Sequence, residues 1–184
     1  MSDALKTQSR RLSMLLRHAP EKAGLTLGSG GWVAVEDLLT GSERMQAPLT
    51  REDLETIVAN NDKKRFTFSD DGTRIRAAQG HSVTVDMDYT PVTPPNTLFH
   101  GTATRTLPLI REGGLKAMSR QHVHLSADHE TAVRVGKRHG SPVVLTVRSG
   151  TMHADGHDFY QAENGVWLTD AVPARYLEGL DNDD

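Results

Sequence analysis

The residues of this chain best suited to chemistry are arginines and histidines in short groupings, and the chemistry they suit is the holding of anionic oxygens. Arg17-His18 closes a segment of helical periodicity. A helix macrodipole leaves partial negative charge at that end, so a cationic pair is stabilised there and offers an anion site. A surface arginine and histidine fringing a helix end would look the same. Arg65 and Arg76 fall on the two arms of an expected hairpin, on one face with Thr67 and Arg74. Clustered guanidinium groups repel one another unless an anion lies between them, and their planar forks match phosphate oxygens two at a time. Without an anion, the same residues make an ordinary solvated hairpin face.

Later in the chain, His100-Gly101-Thr102 ends an apolar strand-like run. A glycine there would let a ligand lie against the backbone, although a plain strand-to-loop turn reads the same way. Arg120, His122 and His124 alternate, so in an extended strand they point to one side, with Ser126 next in the series. A His-x-His pair can ligate zinc, and His153 and His157 could complete a set. No carboxylate stands at a recognisable ligand spacing, so no metal is expected. Arg134 and Arg138 lie one helical turn apart and either share a ligand or complement a helix dipole. Trp167, after the Asn164-Gly165 turn, reads as core.

These groupings sit in an ordinary globular composition. The chain has 184 residues, 36% of them hydrophobic and 24% charged, enough for one large domain or two small lobes. Apolar runs such as Val143-Val144-Leu145 are far short of a membrane span, and no basic-then-apolar opening suggests a secretory leader. A cytoplasmic, monomeric protein with no membrane partner is expected. The absence of cysteine rules out disulfides, thiolate nucleophiles and cysteine-ligated zinc. A net charge of −3 argues against coating nucleic acid by bulk electrostatics, but leaves room for arginines concentrated in one pocket.

The elements that must position these residues fall into two halves, 1–88 and 97–184. Between them runs a stretch with three prolines, Pro91, Pro94 and Pro95, which reads as a linker. In the first half, Leu5, Leu12, Leu15 and Leu16 form one stripe of a helix over Leu5–His18, which Pro20 stops. A short strand over Trp32–Val35 leads into a helix favoured by Glu36 and Asp37. Thr50-Arg51-Glu52-Asp53 resembles a capping box for a helix to about Ala59, ended by Asn60-Asn61. The hairpin pairs Arg65–Phe68 with Arg74–Ala77 around Ser69-Asp70-Asp71-Gly72, giving a winged-helix-like lobe. The second half reads as a compact α+β lobe. Its strands are Leu98–His100, His122–Leu125, Val143–Val147, Phe159-Tyr160 and Val166–Leu168, and its helices Leu107–Glu112 and about Asp128–His139.

Eight stretches, taken in order, resemble the tRNA 2′-phosphotransferase family across nearly the whole chain. They are Leu12–His18; Gly24–Leu27 with Gly31-Trp32-Val33; Asn61–Phe66; Arg74–Ser82; His100–Thr102; His122–Ser126; Val135–Arg138; and Asn164–Leu168. The resemblance implies a winged-helix-like RNA lobe, an ADP-ribosyltransferase-like lobe, and NAD⁺ as co-substrate with no metal. It also implies a two-step reaction on RNA carrying a 2′-phosphate, such as a tRNA-like product of tRNA splicing. The phosphate attacks the nicotinamide ribose C1″ and expels nicotinamide. The neighbouring 2″-hydroxyl then attacks phosphorus, releasing 2′-hydroxyl RNA and ADP-ribose 1″,2″-cyclic phosphate.

By motif, the family's catalytic set maps onto Arg17, His18, Arg65 and Arg120. Arg76 and His81 would contact the RNA. His100, Gly101, Thr102, His124 and Ser126 would line the NAD⁺ pocket, and Arg134 and Arg138 would meet its diphosphate or adenosine end. His18 alone in the catalytic set can exchange a proton near neutral pH. The glutamate that many protein-modifying transferases carry on a late strand is absent near Asn164-Gly165-Val166. Two other readings stay open. One is a transferase that stops after ADP-ribosylating phosphorylated nucleic-acid ends or a protein; the other is a non-catalytic winged-helix nucleic-acid-binding module.

Overall fold

The structure, a computed structural model, describes residues 3–60 and 64–181. Asn61, Asp62 and Lys63, which belong to the motif that runs on to Phe66 and include one of the expected helix-ending asparagines, lie outside the described residues. The chain divides into two compact units, Met1–Asp88 and Tyr89–Asp184. It is α+β, with six α-helices and small antiparallel sheets among the described residues. No helix among them is long and apolar enough to cross a membrane.

In the first unit, α1 spans Asp3–Arg17 and buries Leu12, Leu15 and Leu16 completely. Pro20 starts a 3-10 turn, Pro20–Ala23, because its fixed φ and missing N–H cannot continue α1. Strand β1 is only Val33–Ala34, shorter than expected, since Val35 already begins α2 (Val35–Arg44). Helix α3 (Arg51–Ala59) starts on a true capping box: Asp53 N–H donates to Thr50 Oγ1 and Thr50 N–H donates to Asp53 Oδ2, both at 3.0 Å. Strands β2 (Phe66–Phe68) and β3 (Arg74–Ala77) form the hairpin, with Phe66 opposite Ala77, Thr67 opposite Arg76 and Phe68 opposite Ile75. Strand β1 pairs with the other edge of β3, giving the order β1-β3-β2. The apolar face, with Phe66 and Ile75 buried, rests on Leu16, Leu38, Leu54 and Ile57. Arg74 and Arg76 take the other face, while Arg65, expected to open the strand, lies just before β2.

In the second unit, β4 (Leu98–Ala103) and β7 (Pro142–Val147) pair along their whole length, and β11 (Leu177–Glu178) extends the sheet as β11-β7-β4. Alternation along β7 buries Val143, Leu145 and Val147. A second sheet runs β6-β9-β8, from β6 (Val123–Leu125), β9 (Trp167–Thr169) and β8 (Tyr160–Gln161). Phe99 and Ser126 exchange both backbone hydrogen bonds, at 2.9 and 2.8 Å, and so tie β4 to the end of β6. Strands β5 (Leu115–Lys116) and β10 (Ala171–Val172) pair separately.

Helix α4 is Leu107–Gly113, α5 is His129–Gly136 capped by Asp128, and α6 is Ser149–Ala154. Several features of this unit depart from expectation; strands β8 and β9 each begin one residue later than the pattern placed them, and β4 runs on to Ala103. Helix α5 is shorter than 128–139, its chain tightening into i to i−3 bonds at Arg138 and His139. His122 precedes β6 rather than starting it. Helix α6 and the two-residue strands β5, β10 and β11 were not anticipated, being too short to carry a periodic pattern.

Candidate active site

The chemistry-bearing residues of the first unit gather where α1 ends. The chain leaves α1 through His18 and Ala19, whose N–H groups both donate to Met14 O at 2.9 Å. That turn is closed from a distance. Ser82 N–H donates to Arg17 O at 2.9 Å and Val83 N–H reaches the same carbonyl at 3.3 Å, satisfying an acceptor that a helix end otherwise leaves open. The side chains follow: His18 Nδ1 lies 2.8 Å from Ser82 Oγ. Arg17 Nη2 reaches Arg65 O at 3.5 Å, and that carbonyl also accepts from Ala78 N–H at 2.9 Å. The Arg17 guanidinium stands 5.8 Å from the Phe66 ring centre. Arg65 itself is half-buried beside β2.

His81 is the buried member of this group, 2% exposed. Burial first, and then the charges of Arg17, His18 and Arg76, push its imidazole down to about 4 from an ordinary 6.5, against a bond to the Leu16 carbonyl. Among the described residues its Nε2 has no hydrogen-bond partner, so the nitrogen donating to Leu16 O is Nδ1 and the ring is neutral. Gly31, at φ +73°, makes room for this ring: a Cβ there would stand 3.2 Å from His81 Nε2 and 3.0 Å from Met87 Sδ. Arg76 donates from Nη1 to Gly30 O at 3.2 Å and stacks 4.4 Å from the Trp32 ring centre, with Arg74 at 5.2 Å. Arg17, His18 and Arg76 therefore surround His81, with Arg65 bound to Arg17 through its backbone.

A second grouping lies within the second unit. Arg120 Nη1 is 2.7 Å from His124 Nδ1. A guanidinium only donates, so that nitrogen is the acceptor and a neutral His124 carries its proton on Nε2. The His124 carbonyl in turn accepts from His100 Nδ1 at 3.0 Å, leaving the lone pair of His100 on Nε2. Burial chiefly, with help from His139 and Arg120, holds His100 below its ordinary value; the bond to His124 opposes this. Partial burial and the charge of Arg138 lower Arg120. Residues of β4, of β6, of the turn before β6 and of the turn after α5 thus meet.

The remaining expected site residues stand differently. Gly101 is required by the fold: a Cβ there would lie 1.7 Å from Ala132 O, because α5 rests directly on β4. The Thr102 hydroxyl is buried and bonds Thr106 Oγ1 at 2.8 Å, which itself donates to Ala103 O. Ser126 is held by its backbone against Phe99. Arg134 lies exposed on α5, donating to Thr131 Oγ1 at 2.8 Å. His122 does not join His124. Arg120 sits in a turn rather than a strand, so the expected alternation breaks there, and His122 packs on Tyr160 and Tyr89 at 5.5 and 5.9 Å. His153 bonds His157 O and packs on Phe159, and His157 packs on Tyr176. Among the described residues, no three of the metal-ligating types are grouped to hold an ion.

Sequence reasoning passed over Ser82 and Trp32. Ser82 stood inside a quoted motif beside His81, and Trp32 stood next to the Gly30-Gly31 turn. Both act only through pairings distant in sequence.

A family model described as "RNA 2'-phosphotransferase, Tpt1 / KptA family" matches residues 3–171. The chain is similar to a protein named "Probable RNA 2'-phosphotransferase" from Agrobacterium fabrum, 61% identical over 170 residues, covering 92% of this chain and 91% of that one. Proteins of the same name from Acaryochloris marina and Nostoc punctiforme are 52% and 50% identical. These matches cover 96% and 98% of this chain, and 98% and 100% of the relatives.

Proposed function

As this chain belongs to the RNA 2'-phosphotransferase, Tpt1 / KptA family, we propose that it removes a 2′-phosphate from RNA by transferring it to NAD⁺, using Arg17, His18, Arg65 and Arg120. The observation that carries this reading is the gathering of Arg17, His18 and Arg76 around a neutral, buried His81, with Arg65 joined to Arg17. A cluster of fixed cations at a helix end is the arrangement a phosphate dianion requires.

In the first step the nucleophile is already an anion, so no strong base is needed; the arginines orient it, and nicotinamide leaves with the electron pair of its C–N bond. In the second step charge grows on the phosphoryl oxygens, where guanidinium donors stabilise it. The attacking 2″-hydroxyl gives up its proton as the new P–O bond forms, and His18 supplies one to the RNA 2′-oxygen as that oxygen departs, so no net proton is consumed. Arg76 and His81 support the RNA side.

The second unit fits the NAD⁺ side by its donor set. His100, half-buried and held below its ordinary value chiefly by burial, presents an acceptor nitrogen suited to a ribose hydroxyl. Arg120 is aligned through His124, with Gly101, Thr102 and Ser126 framing the strand beside it. Arg138, close enough to shift Arg120, and Arg134 are cations suited to the diphosphate. In this reading the first unit, with its three-stranded wing, is a winged-helix-like RNA lobe (1–88) and residues 97–184 are an ADP-ribosyltransferase-like lobe. The RNA is tRNA-like, the protein acts as a cytoplasmic monomer, and no metal takes part.

The test is an RNA oligonucleotide with one internal 2′-phosphate, incubated with NAD⁺ and a chelator. Release of nicotinamide, 2′-hydroxyl RNA and cyclic ADP-ribose phosphate is expected. A mixture that never releases nicotinamide refutes the proposal, and ADP-ribose left on the RNA as the end product favours a transferase that stops halfway. Arg65→Ala should lower turnover on the order of 10²- to 10³-fold while the folded protein remains. Near-normal activity would remove Arg65 from the site.

A further inference from the structure

We infer that Ser82 is a positioning residue for His18: its hydroxyl, pinned to the end of α1 by its own backbone, sets which imidazole nitrogen is left to face the anion. The inference rests on the assignment of His18 to the phosphate made above. The two residues are 64 positions apart, yet His18 Nδ1 and Ser82 Oγ stand 2.8 Å from each other. The hydroxyl cannot drift from that place, because the Ser82 N–H donates to the Arg17 carbonyl at 2.9 Å and Val83 N–H reaches the same oxygen. One residue earlier, the His81 ring donates to the Leu16 carbonyl. Two successive carbonyls of the last turn of α1 are thus held by two successive residues of the 81–83 segment. The segment is fastened to the helix that carries Arg17 and His18.

A serine suits this task because its hydroxyl oxygen accepts. With both ring nitrogens protonated, Nδ1–H donates to Ser82 Oγ and Nε2–H points to an oxygen of the anion. Once Nε2 has given up its proton, Nδ1–H still donates to the same Oγ, so the ring need not turn. The imidazole can therefore give up and regain a proton at Nε2 in one orientation. A carboxylate in place of the hydroxyl would favour the charged ring and hold the proton.

The experiment compares the full chain with Ser82→Ala, Ser82→Thr and His18→Ala. Two readouts are taken: kcat and KM on 2′-phosphorylated RNA with NAD⁺, and the nitrogen-15 spectrum of the His18 ring, assigned by its loss in His18→Ala. Ser82→Ala is expected to lower kcat about tenfold with KM within about twofold, the size of one lost hydrogen bond. Its His18 nitrogens should shift towards a mixture of tautomers. Ser82→Thr, which keeps the hydroxyl, should restore both the rate and the spectrum. An unchanged His18 spectrum in Ser82→Ala overturns the inference, as does a Ser82→Thr protein as impaired as Ser82→Ala. A fully active His18→Ala would instead overturn the catalytic role of His18, while the spectrum still decides whether Ser82 holds the ring.

Discussion

Lowering the pH should unfold the first unit through His81, and the size of the effect follows from where that ring sits. His81 is 2% exposed and titrates at about 4 in the folded protein, against an ordinary 6.5. Between those values the unfolded chain binds the proton and the folded chain does not. Stability is therefore intact above about pH 6.5 and declines as pH falls towards 4. The full drop corresponds to roughly 3 kcal/mol, and by pH 5 about 2 kcal/mol of it is lost.

His81→Asn keeps a donor for the Leu16 carbonyl but has no titrating ring. It should be less stable at pH 7.5 by about 1–2 kcal/mol, for lost packing, yet flatter in its pH dependence by about 2 kcal/mol between pH 7.5 and 5. Urea unfolding followed by Trp32 fluorescence, with both proteins carrying Trp167→Phe so that only the first unit reports, measures this difference directly. Parallel stability curves for the two proteins would refute the reasoning, since the ring would then titrate alike folded and unfolded.

Other perturbations test the framework around the sites. Gly101→Ala places a Cβ 1.7 Å from the Ala132 carbonyl oxygen, so α5 must lift from β4. A loss of about 3 kcal/mol or more, or failure to fold, is expected by thermal melting, and a Tm within two or three degrees of the parent (roughly 1 kcal/mol) would contradict that packing. Thr50→Ala removes one half of the capping box of α3 and should cost about 1 kcal/mol. A urea midpoint unchanged by Thr50→Ala would show that the cap contributes nothing.

Local pattern was sufficient for much of this protein. The leucine stripe of α1, its stop before Pro20, the Thr50–Asp53 cap and the alternation through Phe66, Phe68 and Ile75 depend on neighbours within a few residues, and all appear where the spacing places them. The family, too, was legible, because its motifs are contiguous strings of residues. Some of the local structure was not readable in this way. Helix α6 and strands β5, β10 and β11 are too short for a period, and a turn at Arg120 breaks an alternation that the sequence shows as regular.

What tertiary structure alone decided is how the side chains meet. That His81 would be neutral follows from burial beneath Arg17, His18 and Arg76. That His18 would find Ser82 follows from a segment returning to cap α1. That Gly101 would have to accommodate the backbone of α5 follows from the approach of that helix. Each contact joins residues far apart along the chain, and their pairing is set by the collapse of a whole core. A sequence displays which groups are available; it does not display which carbonyl, ring or charge each will face, because that depends on distances that exist only once the chain has closed on itself.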